Sequence, residues 1–151
     1  MSGVFKSQNP VLGKYMRSAV LTALKTNPAA VIWPTPKIHL SQDPAYAPGP
    51  NDTNATLAAH EATFTGYAAQ VPTFTVPVNV GATTEALITT VVFLSTGSAI
   101  SNSLYGYWGD DGTNLFLAEG FGAAGPIPVV ISGDYVQIDV ILPLNAFQSA
   151  A

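Results

Sequence analysis

The chain has 151 residues, 48% of them hydrophobic and only 9% Asp, Glu, Lys or Arg, against about 25% charged in an ordinary soluble domain. That length suits one domain burying roughly 68–70% of the surface its unfolded chain exposes, and the absence of cysteine excludes disulfides and thiolate metal sites. Five basic residues and a net charge of −4 are too few for a nucleic-acid patch, and no run reaches the about 18 apolar residues of a membrane-spanning helix.

So low a charge suits a surface covered by neighbours in an assembly, since a free monomer keeps its surface charged to stay soluble. A neutral surface rich in Ser, Thr, Asn and Gly is the alternative. The charges are also sorted along the chain. Lys6, Lys14, Arg17, Lys25 and Lys37 hold all the positive charge, and the nine acidic residues begin at Asp43.

Residues 1 to 9 read as a flexible arm ahead of a single domain over 10–151. The first residues lack the long apolar core of a signal peptide, so no leader is expected. Asn9-Pro10 suits a helix start, and Leu12, Tyr15, Met16, Ala19, Val20, Ala23 and Leu24 fall on one stripe before Thr26-Asn27-Pro28 ends the pattern. An N-terminal α-helix is expected there, with Lys14 and Lys25 opposite its apolar stripe.

Val31-Ile32-Trp33 and Lys37–Ser41 read as short strand pieces, broken by Pro34 and Pro36. Residues 42–54 form a long loop with three prolines, expected to be a functional or contact loop. One or two helical turns follow over Thr56–Ala62. Phe74, Val76, Val78 and Val80 alternate with polar residues, and Pro77 makes this an edge strand or points its nitrogen outward. Glu85–Ser95 is apolar on both faces and reads as a central strand.

The hairpin over Ser103–Phe121 turns at Gly109–Asn114, where residues tolerate positive φ or bond their own backbone. Its alternation places Leu104 and Trp108 on one face, Tyr105 and Tyr107 on the other, and sets Leu115 and Leu117 opposite Phe116 and Ala118. With bulk on both faces it is either a central strand pair or a pair partly covered by another subunit. Val129–Ile131 and Val136–Leu142 then form a last pair joined through Gly133-Asp134, with Val136, Ile138, Val140 and Leu142 facing the core. Seven or eight strands after one helix, without βαβ alternation, predict a mainly β fold: an antiparallel, jelly-roll-like β-sandwich.

The chemistry-bearing residues form no catalytic or metal-binding pattern. His39 and His60 lack ligand spacing, His60 and Glu61 are adjacent and so point apart, and no nucleophile elbow or phosphate loop is present. Asp110-Asp111 with Thr113 and Asn114 lacks the spacing of a calcium loop and reads as a turn. Asn51-Asp52-Thr53 and Asn54-Ala55-Thr56 match glycosylation acceptors, taken as chance without a secretory signal. Tyr105, Tyr107 and Trp108 could stack a sugar or pack in a core or against a subunit. Neither enzyme activity nor a cofactor is expected.

The order of these segments resembles a family of small bacteriophage virion proteins, described as tail-fibre or minor structural proteins. The resemblance is carried by MRSAVLTALKTNP, KIHLS, the Pro/Asn-rich loop, EATFTGYAAQ, YGYWGDDGTNLFLAEG and SGDYVQIDVIL. It implies a structural role in a virion assembled in the host cytoplasm, as a capsid decoration, tail or fibre component. The expected partners are further copies of the chain, as a trimer on the habit of such proteins, and the major capsid or tail proteins. Docking onto the particle is expected through Lys6, Lys14, Arg17 and Lys25, with no nucleic acid or membrane involved. A carbohydrate-binding module, using Tyr105, Tyr107 and Trp108 or the 42–54 loop, is the alternative function.

Overall fold

The computed structural model describes residues 2–6, 11–12, 37–72, 78–80, 83–97 and 102–143. In chain order these contain β1 (Ser2–Lys6), β2 (Val11–Leu12), β3 (Lys37–Ser41), α1 (Asn54–Ala58), β4 (Val78–Val80), β5 (Thr83–Leu94), β6 (Asn102–Leu104), β7 (Gly106–Asp110), β8 (Leu115–Gly120), a 3-10 turn (Gly122–Ala124), β9 (Ile127–Val129) and β10 (Tyr135–Pro143). The described chain is mainly β, with α1 its one short α-helix. Two four-stranded sheets run in the orders β1-β10-β5-β4 and β2-β8-β7-β3, and β6 pairs with β9.

Period-two patterning explains the first sheet. Val136, Ile138 and Val140 on β10 are fully buried while Gln137 and Asp139 are only partly covered, as the alternation predicts; the Leu142 side chain lies outside the described residues. β5 sits between β10 and β4 and is central, as expected, with Val91 and Phe93 buried. On its other face the described side chains, Thr90, Val92 and Leu94, are exposed. β4 is an edge strand of the described sheet, one of the two readings of this segment, while Pro77 itself lies outside the described residues.

Several expectations are corrected. Ser2–Lys6 is not an arm but a strand, paired parallel to β10 in the register Val4↔Gln137, with Phe5 in the core. The first sheet is therefore mixed. Chain segments this far apart in sequence are free of hairpin constraint and can pair in either direction. Val11-Leu12, expected in the first turn of a helix, pair instead with Leu117-Ala118 of β8; the rest of that helix, and Val31-Ile32-Trp33, lie outside the described residues.

The β9 and β10 segments do not form a hairpin. β9 pairs with β6, whereas β10 pairs with β5 and β1. Between them the buried Asp134 carboxylate accepts the amides of Val130 (2.8 Å) and Ile131 (3.1 Å), turning the chain from one sheet into the other.

The β7-β8 hairpin forms as predicted, but its alternation slips. Gly109 pairs with Leu117 and Asp110 with Leu115, so Phe116 is an extra residue in a β-bulge. Phe116 and Leu117 consequently both join the main core, whereas Leu115 and Ala118 pack on the opposite side with Trp108. Leu104 belongs to the main core with Tyr107 rather than with Trp108, because the chain changes sheets at Tyr105.

One core cluster draws on all three sheets, with Phe5 against Tyr107 at 6.1 Å and Phe93 against Tyr67 at 5.8 Å between ring centres. A second lies on the other face of β7-β8, where α1 lays Leu57 over Trp108, Leu115 and Ala118. Burying one leucine in this way contributes about 1.5–3 kcal/mol. Both faces of the hairpin are thus covered within the chain, which decides for the central strand pair.

Candidate functional site

The aromatic trio does not form a platform. Tyr107 and Trp108 are fully buried and only Tyr105 is partly accessible. Tyr107 donates its hydroxyl to Glu119 at 3.0 Å, and the Trp108 indole N–H reaches Asp110 at 2.8 Å and Asn54 at 3.1 Å. No sugar can stack on either ring without unfolding the hairpin. Lys6 lies in β1, where its backbone registers with Asp139, while Lys14, Arg17 and Lys25 lie outside the described residues.

The densest polar cluster was not legible in the sequence. On β3, His39 stacks flat on Trp108, with ring centres 4.9 Å apart and planes 7° from parallel. Its Nδ1 is 2.7 Å from Glu61 Oε1, so Nδ1 carries the proton that the carboxylate accepts. Nε2 is buried 3.2 Å from Asp110 Oδ2 but makes no hydrogen bond. Glu61 also accepts the Tyr67 hydroxyl at 2.8 Å, and that oxygen accepts the Leu40 amide at 3.0 Å. Burial pushes the Tyr67 phenol well above its ordinary range; the Leu40 amide opposes this, while the Glu61 hydrogen bond and the Glu61 and Asp110 charges add to the rise. Glu61 therefore works with His39, 22 residues away, and not with the exposed His60 beside it.

This cluster ties segment 61–70 to the free edge of β3. Backbone bonds finish the seal: Ala62 N–H to Leu40 at 2.9 Å, and Ile38 and Gln70 exchanging both of theirs at 2.7 and 3.0 Å. An exposed β edge invites pairing with other chains, and here it is closed. His39, with only 14% of its side chain exposed, is an interior brace with no open face for a substrate.

Asp110 and Asp111 shape the hairpin turn. Asp110 accepts the amide of Gly112, whose φ of +92° favours glycine, and Asp111 accepts those of Thr113 and Asn114. Among the described residues no group of three or more His, Asp or Glu side chains is placed to hold a metal ion.

The 42–54 loop is fixed by its own side chains. Tyr46 bonds the Tyr107 carbonyl at 2.8 Å and lies so close to Gly106 that a Cβ there would sit 2.3 Å from its ring. Burial, with the Asp52 and Asp43 charges, raises the Tyr46 phenol well above its ordinary range.

The remaining feature is apolar. The pairing registers Ser2↔Tyr135↔Leu94 and Val4↔Gln137↔Val92 line up the outer face of the first sheet. Val4, Val92 and Leu94 are 52%, 48% and 51% exposed. The β9-β10 turn, bonded to Ser95 next to Leu94, adds exposed Val130 and Ile131 at the same end. The two-sided apolar pattern of β5 was the signal for this face in the sequence.

No family model, curated protein or solved structure matches the chain. Of the features above, the brace and the buried aromatics are directed inward, and the outer face of β1-β10-β5 exposes Val4, Val92 and Leu94.

Proposed function

We propose that this chain is a structural, assembly-forming protein of a bacteriophage particle, a β-sandwich building block whose two four-stranded sheets are the layers. The observation that carries this reading is the exposure of Val4, Val92 and Leu94 on one sheet face, where Gln137 separates Val4 from Val92. Exposed apolar side chains of this size on a chain with so little charge favour burial against a partner, and a second copy of the same face supplies one. The sequence resemblance supplies the setting, in which copies associate, as a trimer on the habit of the family, and dock onto capsid or tail proteins.

Docking through Lys6, Lys14, Arg17 and Lys25 stays part of this proposal. Lys6 ends β1, the edge strand of the same sheet, so a basic end beside an apolar face would orient the chain on an acidic shell by steering rather than by strength. The test is light scattering on the full chain and on a Val92→Glu, Leu94→Lys variant. The native chain is expected at a multiple of its 15.7 kDa mass, and the variant at the monomer mass with unchanged circular dichroism. A native chain that stays monomeric at high concentration overturns the reading.

A further inference from the structure

Away from the apolar face, the fixed loop and the hairpin turn enclose a half-open cleft of about 290 Å³, at the small end of ligand pockets, which run from about 300 to 1,000 Å³. Pro50, Asn51, Asp52 and Thr53 of the loop line one wall, and Thr113, Asn114 and Leu115 of the hairpin line the other. Both walls are held before any ligand arrives. Asp52 Oδ2 accepts the Gly49 amide at 2.7 Å, Thr53 caps α1, and Asp111 bonds both the amide and the side-chain nitrogen of Asn114. The polar atoms left over are the useful ones. The Asn51 side chain, Asp52 Oδ1 and the Thr113 hydroxyl make no hydrogen bond among the described residues, yet they belong to the residues that line the cleft.

We infer that this cleft binds one ring of a neutral saccharide. A free amide, a carboxylate oxygen and a hydroxyl together offer donors and acceptors of the kind that paired sugar hydroxyls require. Among the described residues no cation lines the cleft, and Asp52 in its wall and Asp111 in the adjoining turn disfavour a phosphate or carboxylate ligand. Leu115 and Pro50, its apolar lining among the described residues, are too little for a lipid or an aromatic drug-like ring. A bare divalent ion is also disfavoured, because the turn carboxylates are already taken up by backbone amides. With no aromatic ring to stack on, affinity rests on hydrogen bonds and lies in the millimolar range. This site is separate from the sheet face and stands whether or not the chain self-associates.

The test is residue-resolved amide NMR of the full chain, titrated separately with D-glucose, D-galactose, D-mannose, L-rhamnose, N-acetyl-D-glucosamine, sodium phosphate and calcium chloride. At least one sugar is expected to shift the amides of 51–53 and 113–115 saturably. Asn51→Ala and Thr113→Val change side chains without internal hydrogen bonds, so melting temperature should hold while each weakens that sugar about tenfold. The inference is overturned if no sugar shifts these amides, if both variants bind as well as the native chain, or if only phosphate or calcium produces the shifts.

Discussion

Tyr67→Phe removes a single oxygen that serves two partners. The Leu40 amide, on a fully buried residue of β3, loses its acceptor, and an orphaned buried amide costs about 1–3 kcal/mol. The bond to Glu61 adds less, because that carboxylate is 31% exposed and keeps His39. The ring itself remains packed on Phe64 and Phe93. The expected loss is about 2 kcal/mol, or roughly 4–8 °C in melting temperature for a chain of this size. Urea unfolding should show the midpoint falling with an unchanged slope. His60→Ala, next in sequence to Glu61 but exposed, should stay within about 0.5 kcal/mol of the native chain. If the two substitutions cost the same, or Tyr67→Phe costs less than about 0.5 kcal/mol, segment 61–70 is not braced on β3 as described.

Two further outcomes follow from the core and from the buried phenols. Ile138→Ala, at a fully buried position of β10, should cost about 2–5 kcal/mol by urea unfolding, and Gln137→Ala on the opposite face little; equal effects would reject the register. Tyr46 and Tyr67 have folded-state values raised above the ordinary tyrosine value of 10.0, so the folded chain holds protons that the unfolded chain releases. Their contribution is complete below pH 10 and is lost as pH rises above it. Ultraviolet difference spectra should therefore show these two phenols ionising together with alkaline unfolding, and titration of all six tyrosines near pH 10 in the folded chain would contradict their burial.

Local chemistry in the sequence determined the β class, the inward row Val136, Ile138 and Val140, the central place of β5, the edge place of β4 and the Asp110–Asn114 turn. Each depends on neighbours within a few residues, where pleat and turn geometry act directly. Only tertiary structure decided what covers each face. Alternation shows that Tyr107 and Trp108 point opposite ways, but not that a core lies under one and α1 over the other. It cannot place the bulge at Phe116, because an extra residue leaves no mark on composition. The parallel seat of β1 on β10, the strand at Val11-Leu12 and the His39–Glu61 pair join segments distant in the chain. Such pairings depend on which sheet edge is left free and what reaches it, and periodicity within one segment carries no information about either.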